Sequence, residues 1–212
     1  MTGLGRPIQI ITVSREYGAG GSELAALLGT RMGWRVLDHE LIQQLARRLE
    51  CETTEIAALS EHPPSFLDRL ASSGLVTAPE SAFHAGPWST DADRLAALTR
   101  EVLLEEAEQP PLIVVGHGAN CLYRDRPDVL RVRVAAPPEV RIRRVMERTG
   151  AAPQQAAADV RHRDADRQHY LQRYYHTSVS DPCAYDLQIN TGTVPLDTAA
   201  AIIVSLIGAE PR

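Results

Sequence analysis

Residues 10–28 constrain the fold more than any other stretch. An apolar, β-branched run from Ile10 to Val13 leads into Gly18-Ala19-Gly20-Gly21, and a helical pattern begins at Ser22. Strand, flexible turn and helix start in that order bring backbone N–H groups and the positive end of a helix dipole to one point, where an anion can sit. The chain is thereby expected to be an α/β protein that binds phosphate at the carboxyl edge of a sheet.

The stretch is close to the phosphate-loop pattern G-x-x-x-x-G-K-[ST], with departures. Gly20 and Ser22 fall in register, whereas Arg15 takes the first glycine and Gly21 the lysine. A cradle without lysine needs another cation. Arg15 lies in the same loop, and a guanidinium binds phosphate as a planar fork that never loses its charge; the alternative is a surface arginine paired with Glu16 or Glu23. Gly21→Lys is the change expected to restore the cation in part once Arg15 is removed. Ser22 stands where a Mg²⁺-binding hydroxyl belongs, or caps the first helix.

Strand-like runs at 9–13, 35–37, 112–115, 129–134 and 187–190 alternate with helical patterns at 22–32, 39–49, 91–108, 138–148, 153–175 and 196–207. Such alternation predicts a parallel sheet covered on both faces, with the ligand at the strands' carboxyl ends. Ser14–Ser22, Asp38 and Gly116–Asn120 then share one rim. Asp38 either caps the helix that follows, holds Mg²⁺ through water, or acts as base on an acceptor hydroxyl. The 212 residues suit a single domain, 1–212, with a helical and loop insertion at about 52–90 and a lid at about 150–182.

No stretch reaches the roughly 18 apolar residues of a membrane span, and residues 1–7 lack an apolar leader core. Cys51, Cys121 and Cys183 are odd in number and not spaced as a metal site, which fits a reducing cytoplasm. A net charge of −5 argues against a polyanion as the main partner, so no nucleic acid is expected.

Four blocks carry a family resemblance: ITVSREYGAGGSELA; the segment 33–42 around Asp38; Leu112 to Asn120, ending in a Gly-His-Gly-Ala turn; and Asp164-x-x-Arg167-x-x-Tyr170 with Tyr174, Asp181-Pro182 and Tyr185 to Thr191. They resemble the nucleoside monophosphate kinases, specifically the cytidylate kinase-like family with a degenerate phosphate loop. The resemblance implies a three-layer P-loop kinase fold with a five-stranded parallel sheet, a helical lid and an acceptor-side insertion. It also implies ATP and Mg²⁺ as cofactors, and a nucleotide or other small-molecule phosphate acceptor bound by a monomer or homodimer.

On that resemblance, Gly18, Ala19, Gly20, Gly21 and Ser22 cradle the donor phosphates, while Arg15, Asp38 and Arg167 serve catalysis. Ser22 and Asp38 hold the metal. Arg163 and Arg167 belong to a lid whose arginines close over the transferred group, with Asp164 orienting Arg167; the alternative is a solvated ion pair on a helix face. His39, His117 and Asp164 face the acceptor. In the family's cytidylate kinases an arginine and an aspartate after the third strand hold CMP; here His117 and Gly118 stand there, and His39, Glu40 and Gln44 replace the residues expected after the second strand. CMP is therefore not the expected acceptor. Arg141, Arg143, Arg144 and Arg148 read as a mainly solvated face, with Arg144 or Arg148 reaching the lid as the alternative, and Tyr170, Tyr174 and Tyr175 as core, with a dimer contact as the alternative. Two other readings stay open: a nucleotide-binding regulatory protein that has lost catalysis, and a kinase of a different small metabolite.

Overall fold

The computed structural model describes residues 7–38 and 91–208. His39, Glu40, Gln44, the helix expected at 39–49 and the insertion lie outside the described residues. Five strands, β1 (Ile10–Arg15), β2 (Arg35–Leu37), β3 (Leu112–Val115), β4 (Val129–Ala135) and β5 (Leu187–Asn190), form one sheet in the order β2-β3-β1-β4-β5. Every pairing is parallel. The helices are α1 (Gly21–Met32), α2 (Asp91–Glu106), α3 (Ala119–Leu122), α4 (Pro138–Thr149), α5 (Pro153–Tyr175) and α6 (Leu196–Ile207).

A parallel sheet must bury both faces, and the strand sequences supply two apolar sets at period two. Ile10, Leu112 and Val114 pack with Leu95, Val102 and Leu103 of α2 and Ala119 of α3. Ile11, Val13, Ile113 and Val115 join Leu24 and Leu28 of α1 and Ile203 of α6 on the other side. Three layers result. The α4–α5 hairpin between β4 and β5 has its own small cluster, Val145, Ala156 and Val160, with Tyr17 of the phosphate loop against it.

Element bounds differ from the sequence expectation where pairing or turns decide them. β1 continues to Arg15 because Ser14 and Arg15 find partners in Arg133 and Val134 of β4. The one-turn helix α3 was not legible. It follows three successive residues with positive φ, Gly116 (78°), His117 (55°) and Gly118 (70°), a backbone path that two glycines make accessible. At the other end of α5, Arg173 Nη2 donates to Asp93 Oδ1 at 2.8 Å and the Tyr174 hydroxyl to the same oxygen at 3.1 Å, joining α5 to α2. Among the described residues no helix is long and apolar enough to cross a membrane.

Candidate active site

The phosphate loop is held from outside. Glu16 accepts from Arg133 and from the Ala136 amide, each at 3.2 Å. The Tyr17 amide donates to Asp164 Oδ1 at 2.8 Å. The Ala19 carbonyl accepts from the Thr191 hydroxyl at 2.6 Å and from Arg144 at 3.4 Å. These bonds consume the loop's side chains and carbonyls and leave its inner amides. Among the described residues, the N–H groups of Gly18, Gly20, Gly21 and Ser22 have no acceptor. Backbone donors are strongly disfavoured when left unpaired, and these four lie at the N-terminus of α1, where the helix dipole favours an anion.

Arg15 runs across the loop. An added Cβ on Gly21 would lie 2.5 Å from Arg15 Cβ and 2.9 Å from its Cγ; on Gly116 it would lie 1.7 Å from Arg15 Nη1. The arginine stem therefore occupies the room a side chain at residue 21 would need, and its guanidinium lies over the end of β3. Two glycines make the space for one cation. This corrects the expectation that Gly21→Lys restores function in an Arg15→Ala protein, since Cβ of residue 15 alone blocks it.

Ser22 is not the cap of α1. Gly20 holds that position, with no side-chain cap bond. The Ser22 hydroxyl instead donates to Asp38 Oδ2 at 3.0 Å, so the sequence-predicted metal pair is brought together at the rim. A hydroxyl and a carboxylate beside free loop amides fit Mg²⁺, which takes few protein ligands and completes its shell with phosphate oxygens and water.

Beside the loop, a cavity opens between the ends of β1 and β3, β4 and the face of α5. Arg15, His117, Asp164 and Arg167 all wall it. Arg167 Nη1 lies 3.5 Å from the Arg15 carbonyl and 3.6 Å from Asp164 Oδ1. Asp164 is chiefly a loop clamp: besides the Tyr17 amide it binds Arg141, whose Nε donates to the Ala136 carbonyl at 2.9 Å. Arg163 is not on this wall; its guanidinium lies 4.8 Å from the Tyr17 ring centroid, with those of Arg148 and Arg167 at 5.2 and 5.8 Å. Such stacking on an aromatic face suits guanidinium groups.

The solvated-face reading of α4 is half corrected. Arg143 is exposed, but Arg141 is only 7% exposed and Arg144 bonds the Thr191 carbonyl at 2.8 Å. Sequence reasoning also gave no individual site role to Glu16, Arg133, Asn120, Asp166 and Tyr185. The alternation Val-Leu-Arg-Val-Arg-Val in β4, an arginine at every second place of a buried strand, was the available signal for Arg133. Burial raises the Tyr170 and Tyr185 phenols above the usual range, so both are protonated at neutral pH.

The model of the cytidylate kinase-like family matches residues 10–193. The chain is similar to a cytidylate kinase of Sulfolobus acidocaldarius, 22% identical over 201 residues and covering 94% of each chain. It is also similar to a cytidylate kinase of Aeropyrum pernix, 30% identical over 109 residues, which make up 51% of this chain and 62% of that protein. Among solved structures, an uncharacterized protein from Eubacterium ventriosum superposes with a TM-score of 0.68 at 21% identity, covering 95% of this chain and 99% of that one. Shikimate kinase from Bacteroides thetaiotaomicron gives 0.53 at 15% identity, over 94% and 98% of the two chains.

Proposed function

The chain belongs to the cytidylate kinase-like family, and on that premise we propose a Mg²⁺-dependent phosphotransferase that moves the terminal phosphoryl group of ATP to a small acceptor. One observation carries the reading: four unpaired loop amides at a helix N-terminus, with Arg15 and Arg167 from distant parts of the chain on the adjoining wall. Phosphoryl transfer asks little covalent chemistry of a protein; positioning and charge compensation dominate.

The amides of Gly18, Gly20, Gly21 and Ser22 bind the donor's phosphate oxygens. Ser22 and Asp38 would hold the metal, which when bound neutralises charge on those phosphates. Arg15 replaces the absent lysine. Arg167 approaches from α5, and His117 faces the acceptor. A second reading, nucleotide binding without transfer, is favoured by Gly21 in the lysine position and by Gly116, not a carboxylate, directly after β3.

Thermal-shift measurements with ATP and GTP, with and without Mg²⁺, test binding; at a hundredfold excess over Kd a ligand stabilises by about 2.7 kcal/mol. A transfer assay against nucleoside monophosphates, nucleosides and hydroxylated metabolites tests catalysis. Tight binding with no transfer to any acceptor would move the assignment to the second reading. Arg15→Ala is expected to weaken ATP binding roughly 10- to 100-fold, the range of a charge-assisted hydrogen bond, with little change in the melting temperature of the ligand-free protein. Parent-like affinity would mean that another cation compensates the phosphates. Gly21→Lys, in the parent or in Arg15→Ala, should also bind ATP worse, because the space is taken.

A further inference from the structure

Three guanidinium groups converge on one aromatic ring of the phosphate loop. Those of Arg163, Arg148 and Arg167 lie 4.8, 5.2 and 5.8 Å from the ring centroid of Tyr17. Arg148 comes from the last turn of α4, whereas Arg163 and Arg167 stand one helical turn apart on α5. Like charges resist such crowding, and carboxylates offset part of it: Glu23 lies 4.0 Å from Arg148, and Asp164 3.6 Å from Arg167. Tyr17 itself is held by what surrounds the loop. Its amide donates to Asp164 Oδ1 at 2.8 Å, and its carbonyl accepts from Arg141 Nη1 at 3.3 Å. Its side chain packs on Val145, Ala156 and Val160 of α4 and α5. An added Cβ on Gly18, the next residue, would lie 2.8 Å from the Arg141 carbonyl oxygen, so the loop backbone is seated on α4. The ring therefore has a set place beside the loop amides.

An aromatic face attracts a cation without carrying net negative charge. A carboxylate in its place would hold the arginines more strongly and would also repel a phosphate at the loop. Each ring contact is worth roughly 2- to 5-fold in population at a part-exposed site, whereas a charge-assisted hydrogen bond is worth roughly 10- to 100-fold. The arginines therefore leave the ring for phosphate oxygens at little cost. Resting on the phosphotransferase reading, we propose that Tyr17 is a positioning residue whose ring gathers Arg148, Arg163 and Arg167 beside the phosphate loop before the donor binds and releases them to its phosphates. The ring makes no bond to the nucleotide and acts through the guanidinium groups. Immobilising an arginine costs rotamer freedom, and gathering the three beforehand lowers what is lost when they bind.

The test compares Tyr17→Leu and Tyr17→Phe with the parent, and repeats Tyr17→Leu in an Arg163→Ala background. Inorganic triphosphate is the calorimetric probe, because it has neither base nor acceptor; transfer kinetics with ATP and melting temperatures are measured alongside. Leucine keeps the apolar contact with Val145, Ala156 and Val160 and the backbone bonds of residue 17, but has no π face. Tyr17→Leu should weaken triphosphate binding roughly 10-fold and lower kcat roughly 3-fold, the worth of two ring contacts and of one, with a melting temperature close to the parent's. Tyr17→Phe, which restores the ring, should recover most of both losses. In the Arg163→Ala background Tyr17→Leu should weaken binding only about 3-fold further, because one of the groups it positions is gone. A ring that only packs predicts otherwise: Tyr17→Leu melts well below the parent and its loss of affinity adds in full to that of Arg163→Ala, which overturns the proposal. A Tyr17→Phe protein as weak as Tyr17→Leu assigns the effect to the hydroxyl and overturns it too. Parent-like triphosphate affinity and kcat in Tyr17→Leu overturn it and leave the phosphotransferase reading standing. Ring-dependent triphosphate binding in a parent that transfers to no acceptor supports the positioning and sinks that reading alone, and a parent that does not bind triphosphate overturns both.

Discussion

Arg167→Ala is expected to lower kcat by on the order of 10³-fold, by analogy with arginine fingers, while ATP affinity falls far less. Two contacts of Arg167 are long, 3.5 Å to the Arg15 carbonyl and 3.6 Å to Asp164 Oδ1, at the weak limit of hydrogen-bond geometry. Its side chain is 18% exposed and stands on the cavity wall beside Arg15. From that wall the guanidinium can strengthen its bonds as charge redistributes on the transferring group. Interactions that tighten only in the transition state appear in kcat. Steady-state transfer kinetics alongside ATP calorimetry check this. Equal losses in rate and affinity would make Arg167 a binding group, and a stability change of under about 1 kcal/mol with no kinetic signature would make it a surface ion-pair member.

How much of this was legible follows from the range of each interaction. The sheet was readable because its determinants are local: β-branched runs at period two, turn residues between them, and proline at the first position of α4 and α5. The phosphate loop was readable for the same reason, as one continuous strand–glycine–helix stretch. What holds that loop was not. Glu16 with Arg133, Tyr17 with Asp164, and Ala19 with Thr191 lie 117, 147 and 172 residues apart, and no periodicity encodes such pairs. Ser22 illustrates a choice that sequence leaves open, between capping and binding; the left-handed Gly20 takes the cap and frees the hydroxyl for Asp38. Arg141 looked solvated because helix position gives no hint that the loop comes down on that face.

The long-range clamp gives the largest expected effect on stability. Asp164 carries the Tyr17 amide and Arg141 together, and Arg141's side chain is 9% exposed. Asp164→Ala leaves that amide without its acceptor and strips a buried guanidinium of one carboxylate. Loss of one partner from a buried pair costs about 3–5 kcal/mol. Asp164 is itself 28% exposed, and Glu16 remains 3.4 Å from Arg141 Nε, so about 2–3 kcal/mol is the reasoned loss. For a chain of this size that is a fall in melting temperature of roughly 5–10 °C. Asp164→Asn keeps an oxygen for the Tyr17 amide but no charge for Arg141, and should lose about half as much. Nucleotide affinity should follow the same order, because Tyr17 sits at the entry to the loop amides and its release lets them splay. Melting curves and ATP calorimetry on the two variants check both trends. An Asp164→Ala protein that melts like the parent would show that the loop is held by Thr191 and Arg144 on the Ala19 carbonyl, and that Asp164 serves only to position Arg167.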